Sequence, residues 1–197
     1  IIYLKAGNTY SLKKANQTNS VLSSLGVFKA NFISYSPQNG DSTKLNSTVN
    51  LSPADATNLS FNIKGNYKTS GYIGPSVGVK LSQLNLFGKA QNLHIEVDYY
   101  YDFPIGVFRE RISNSYGISA RNIIKAPFTN SKIRLAKNAS SLPFQFLSFN
   151  TEYNNRTDYF RILSWNAAYG VSWSKNKYAN NRFDLLNITY SDLLNTT

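Results

Sequence analysis

The chain offers few residues that could do chemistry. There is one histidine, His94, and there is no cysteine and no methionine. Thiol nucleophiles, disulfides and zinc ribbons are therefore excluded, and a histidine-rich metal site has no ligands to draw on. A serine near His94 would suggest a hydrolase, but no Ser–His–acid spacing accompanies it. His94 also falls at a polar position of an alternating segment, where a solvated or hydrogen-bonded histidine is expected. Glu96 and Asp98 are two residues apart, hence on one face of an extended strand. A carboxylate pair could use that spacing, and so could two acids that merely balance nearby Lys and Arg. Lys13-Lys14 and the pair Arg109 and Arg111 could meet phosphates, yet the basic residues are scattered and no RNP-like or helix-turn-helix pattern goes with them. The expectation is a non-enzymatic protein with no cofactor, no metal and no nucleic-acid partner. Asn-x-Ser/Thr occurs at Asn16, Asn46, Asn138 and Asn187 among others, as chance supplies in so Asn/Ser/Thr-rich a chain.

What must position these residues is read from composition first. The 197 residues carry 21 Lys+Arg against 10 Asp+Glu, a net charge of +11. Charged residues are only 16%, below the roughly 25% of ordinary soluble domains. Aromatics reach 14%, with 14 Tyr and 12 Phe, while Asn, Ser and Thr hold the mean hydropathy at −0.33. No apolar run approaches the ~18–20 residues that a membrane-spanning helix needs. Residues 1–4 are apolar but too short for a leader, and position 1 is not Met, so a processed, trimmed or incompletely represented N-terminus is expected. Few charges, many tyrosines and no long apolar run are the composition of a transmembrane β-barrel.

From residue 56 onward the pattern has period 2. In residues 58–68, Leu59, Phe61, Ile63, Gly65 and Tyr67 alternate with Asn58, Ser60, Asn62, Lys64, Asn66 and Lys68. Residues 92–102, 147–154 and 163–174 repeat the rule, and residues 75–84, 115–124 and 182–193 follow it less strictly. Such alternation means strands with one apolar and one polar face. A soluble sandwich would alternate too. The polar face, however, mixes amides and hydroxyls with charges of both signs, such as Lys64, Glu96, Asp98 and Glu152, which suits a wet lumen. Aromatics gather toward strand ends, as interfacial girdles require, and segments of about 9–12 residues match tilted membrane strands. The expected fold is mainly β: a partial antiparallel transmembrane barrel of about seven strands over residues 54–197.

Residues 1–53 read differently. Ser11 is placed to cap a helix from Leu12 to Leu25, with Leu22 and Leu25 one turn apart and Gly26 at a left-handed C-cap. A strand over 27–35, a turn at 37–41 and a second strand over 45–51 complete a small α+β unit. A piece of 53 residues is marginal alone, so further chain is expected before it.

At this junction the chain resembles a known family. Thr18-Asn-Ser-Val-Leu22-Ser-Ser-Leu25-Gly26-Val27-Phe28, followed by a strand, a turn and a strand ending at Pro53, is similar to the C-terminal part of a POTRA domain. Asn85-Leu86-Phe87-Gly88-Lys89-Ala90-Gln91 resembles a turn between early strands of the BamA/TamA-type outer-membrane barrels. Arg156-Thr157-Asp158-Tyr159 and Tyr169-Gly-Val-Ser-Trp173 are similar to motifs of the Bacteroidetes TamL branch. The likeness runs through the chain in consistent order, while the family's V-R-G-F/Y loop and aromatic-ended last strand are absent. A segment of a longer protein is therefore expected.

The resemblance implies an outer-membrane location with the N-terminal part in the periplasm, and a role in outer-membrane protein assembly, insertion or translocation. Unfolded outer-membrane protein clients would add by β-augmentation to an open first barrel strand. In this sequence that edge is Asn58, Leu59, Ser60, Phe61, Asn62, Ile63, Lys64, Gly65, Asn66, Tyr67 and Lys68, with Gly65 and Asn66 expected to weaken its pairing. Outer-membrane lipid, and accessory lipoproteins or periplasmic proteins reached through the POTRA part, would be the other partners. The alternative is a passive pore or receptor barrel with a periplasmic extension. Outer hairpins are expected at 69–74, 103–113 and 155–158, and periplasmic turns at 85–91, 125–141 and 174–181.

Overall fold

The computed structural model describes residues 2–38, 41–69, 71–105, 113–128, 142–157, 159–176 and 179–194. Arg109, Arg111, Asn138, Asp158, the tip of the turn at 37–41, and the middles of the connections at 103–113 and 125–141 lie outside them. The chain is mainly β, and the described residues form one helix and two antiparallel sheets.

The first unit is α1 (Leu12–Ser24) followed by the hairpin β1 (Phe28–Gln38) and β2 (Asp41–Pro53). Ala15, Thr18, Val21, Leu22 and Leu25 are buried, the spacing of a single helical face, and α1 packs on β1 through it. Thr18 is fully buried because its hydroxyl is used twice: it donates to Lys14 O at 2.9 Å and accepts from Tyr3 N at 3.1 Å. Asn31 on β1 donates to Asn19 O and Oδ1, tying strand to helix. Ser11 holds the N-cap position but makes no side-chain cap bond. The helix stops where expected, with Gly26 at φ +70° and donating to Ser23 O.

The second unit is a meander of seven strands in sequence order: β3 (Thr57–Lys68), β4 (Tyr72–Gln83), β5 (Asn92–Pro104), β6 (Ser115–Pro127), β7 (Phe144–Arg156), β8 (Phe160–Asn176) and β9 (Ala179–Leu193). Each alternating segment of the sequence becomes one strand, generally longer than its alternation, because the polar residues flanking each connection still pair. The register puts apolar side chains in rows across strands. Ile63, Val77, Tyr99, Ile118, Tyr153 and Leu163 form one row; Phe61, Val79, Val97, Ala120, Thr151, Trp165 and Tyr190 form the next. The opposite face carries Asn62, Gly78, Asp98, Ser119, Glu152, Ser164 and Ser191 in register.

Burial runs against the ordinary expectation for a sheet in water. Along β4 the polar-face residues Tyr72, Gly74, Ser76 and Gly78 are buried, while Ile73, Val77 and Val79 on the apolar face are exposed. Asp102, Phe146, Ser148 and Ala168 are likewise buried on the polar side. Glycine makes this crowding possible. A Cβ on Gly74 would lie 1.7 Å from Tyr101 O, and one on Gly117 would lie 2.5 Å from the Tyr100 hydroxyl. The sheet meets the first unit at the end where β5 and β7 begin: Asn92 Nδ2 donates to Leu25 O, and Leu142 N donates to Ser24 Oγ.

Gly74→Ala is expected to destabilise the chain by about 1–3 kcal/mol, because its Cβ meets backbone that cannot yield. Gly65→Ala, with open space around the new methyl, should stay within about 0.5 kcal/mol. Denaturant midpoints of the two variants check the contrast.

Candidate functional site

All eleven residues from Asn58 to Lys68 lie in β3, which is one edge of the seven-stranded sheet. β4 pairs with every residue of β3, in an unbroken ladder from Thr57↔Gln83 to Lys68↔Tyr72. Among the described residues nothing pairs with the other side of the strand. Phe61 is 73% exposed and Ile63 84% exposed, the most open apolar side chains of the strand. An unpaired N–H and C=O row flanked by exposed apolar side chains is chemically a template for another strand.

The ladder from β3 to β4 runs through Gly65 and Asn66. Gly65 pairs with Pro75 and Asn66 with Gly74 without a break. It is on the far side of β4 that pairing lapses: β5 gives a partner to every β4 residue from Tyr72 to Gln83 except Gly74 and Pro75. Proline has no N–H to give, so the ladder it interrupts is the one toward β5.

On the polar face, the two acids singled out from sequence are used as counter-ions. Arg121 reaches Asp98 at 2.8 Å and Glu96 at 3.5 Å, and Lys64 approaches Asp98 at 3.8 Å. Lys68 is ion-paired with Asp102, which is only 1% exposed, and its ammonium also lies 4.8 Å from the Tyr100 ring centroid. These Lys–Asp contacts skip a strand, from β3 over β4 to β5. Sequence reasoning missed them, since neither partner is near the other in the chain or adjacent in the sheet.

His94 accepts or donates one hydrogen bond, from Nδ1 to Ser82 Oγ at 2.9 Å, because the register sets Ser82 opposite it. No carboxylate bonds the imidazole among the described residues, and no group of three His, Cys, Asp or Glu gathers there to hold a metal. The arrangement is a dyad without its orienting acid. Lys13 and Lys14 are exposed on α1, remote in sequence from these contacts.

A fluorophosphonate probe is expected to leave Ser82 unlabelled at neutral pH, since the imidazole lacks the carboxylate that fixes its tautomer for deprotonating a serine. Mass spectrometry of the treated protein checks this, and an adduct at Ser82 would mark Ser82 and His94 as a working nucleophile and base. The chain matches no protein-family model, no curated protein and no solved structure.

Proposed function

We propose that this chain is part of an outer-membrane β-barrel with a periplasmic POTRA-like extension, and that it assembles or inserts outer-membrane proteins by letting client strands add to β3. The observation that carries the reading is an unpaired edge strand in a sheet whose apolar face is the exposed one. An aromatic side chain presents ~150–250 Å². Phe61, Tyr99, Phe149 and Tyr190 are exposed by 73%, 44%, 47% and 51%, so these four alone leave on the order of 400 Å² of apolar surface open. That already reaches the largest patch of a typical soluble monomer, and Leu59, Val77, Ile118, Leu147 and Ile188 add to it on the same face.

Lipid is the solvent that suits such a face, with the charged and amide residues of the other face turned to a lumen. Within that arrangement α1 and the β1–β2 hairpin, ending at Pro53, take the place of the POTRA remnant at the periplasmic rim. The free edge of β3 supplies backbone hydrogen bonds to an incoming strand, and Leu59, Phe61 and Ile63 supply apolar contact without demanding one client sequence. Unfolded outer-membrane proteins are the clients on this reading.

The membrane part is tested by arginine substitution. Ile95→Arg and Trp165→Arg are expected to cost about 2–4 kcal/mol each near the bilayer midplane, and Ser164→Arg on the polar face much less. Unfolding titrations in lipid vesicles measure this; equal costs on the two faces would point to a sheet in water.

The client part is tested at the edge. Photo-crosslinkers along β3 should capture nascent outer-membrane proteins, whereas crosslinkers on Leu163 or Ala167 of β8, paired on both sides, should not. Of the consecutive residues Asn62 and Ile63, one turns its N–H to β4 and the other to the free edge. One of Asn62→Pro and Ile63→Pro should therefore fold normally yet slow client insertion into liposomes, relative to the control Asn187→Ala. Unchanged insertion by both folded variants, with no crosslinks at β3, would favour the passive pore.

A further inference from the structure

We propose that Lys64 and Lys68 are positioning residues that latch the β3–β4 hairpin to β5, adding two ion pairs to a β4–β5 backbone ladder that lacks partners at Gly74 and Pro75. The same geometry occurs twice. Lys64 reaches Asp98 with Gly78 lying opposite Asp98 on the intervening strand, and Lys68 reaches Asp102 with Gly74 beneath the contact. Lysines, glycines and carboxylates are each spaced by four residues, two same-face steps of a strand.

The glycines are what let the lysines cross. A Cβ on Gly78 would stand 2.3 Å from Asp98 Oδ1, and one on Gly74 would stand 2.8 Å from the Asp102 Cα. With any other residue at these sites, β4 would present a side chain where the Asp98 carboxylate and the backbone of Tyr101 and Asp102 now lie. The latch also falls where it is needed. Gly74 and Pro75 are the two β4 residues that lack a β5 partner, so the second ion pair bridges the gap in the ladder.

The two pairs are not equivalent. Asp98 is shared with Arg121 of β6 and is 14% exposed, so losing Lys64 leaves it a counter-ion. Asp102 is 1% exposed with Lys68 as its ion-pair partner, so losing Lys68 strands a carboxylate out of water. Exposed ion pairs contribute little, and it is the burial of the carboxylates that gives these their hold. The inference rests on the reading of β3 as the accepting edge for the purpose of the latch, but the latch itself is measured with no client present.

The experiment is amide hydrogen exchange, read by mass spectrometry, on the folded protein in dodecyl maltoside micelles. In Lys64→Met, exchange in the outer halves of β3 and β4 should rise about threefold with β6 to β8 unchanged. In Lys68→Met the rise should be about tenfold or more in the same strands, and Lys64→Arg and Lys68→Arg should restore most of the protection. Lys64→Met keeps Asp98 paired with Arg121, so it remains informative if Lys68→Met fails to fold. Exchange in β3 and β4 equal to wild type, or a rise spread evenly over β3 to β8, would overturn the latch. Client crosslinking at β3 by wild type alongside either result would show that the accepting edge stands while the latch does not.

Discussion

A strand that slips by one residue against its neighbour carries every side chain to the opposite face, and this constraint governs the whole of the larger sheet. The strands keep their apolar residues in common rows because every ladder from β3 to β8 holds one register along its length. These ladders do so with no shift, and the single bulge within the body of the β8–β9 ladder sits between Tyr169 and Gly170. The separation of an apolar from a polar face, the exposure of the one and the crowding of the other all follow from that register. So does the pairing of Ser82 with His94 and of Glu96 with Arg121.

Crowding on the polar face is relieved by glycine. Tyr100 lies over Gly117, the Phe146 ring lies over Gly170, and Asp98 leans across Gly78. Each large side chain covers a backbone position with no Cβ of its own, which is how aromatic residues offset glycines in sheets. Arg182 then stacks on Phe146 at 4.1 Å from the ring centroid, so a charge on β9 is carried by a ring on β7 across β8. Contacts that skip a strand thus recur on this face, and glycine makes room for those at Gly74, Gly78 and Gly170.

Much of this was legible in the sequence and some was not, for physical reasons. Residues 58–68 and 92–102 alternate without fault, and their strands and faces are as the alternation predicts. The segment at 115–124 reads less strictly because Asn122 lies on the apolar face between Ile95 and Phe149, while Ile123 lies on the polar face between His94 and Ser148. The segment at 182–193 reads less strictly because Leu185 is the extra residue of the bulge: Phe183 before it and Leu186, Ile188 and Tyr190 after it share one face with opposite parity. Alternation cannot announce such a change. The candidate edge was legible as a strand, but the interruption beside it was not. Pro75 follows Gly74 in a segment that otherwise alternates, and only the register says which neighbour loses the hydrogen bond. The Lys–Asp contacts were invisible for the same reason, since reach over a third strand depends on which residues happen to lack side chains.

The number of strands in the meander has a consequence of direction. In an up-and-down order the first and seventh strands, β3 and β9, point the same way. Rolling these seven strands into a tube would therefore bring two parallel edges together, with slanted hydrogen bonds in place of the perpendicular pairs found everywhere else in the sheet. One extra strand between the edges turns that mismatch into two ordinary antiparallel seams, whereas an extra hairpin leaves it as it was. An odd count of strands between β3 and β9 gives antiparallel pairing at both edges, and an even count leaves one parallel seam.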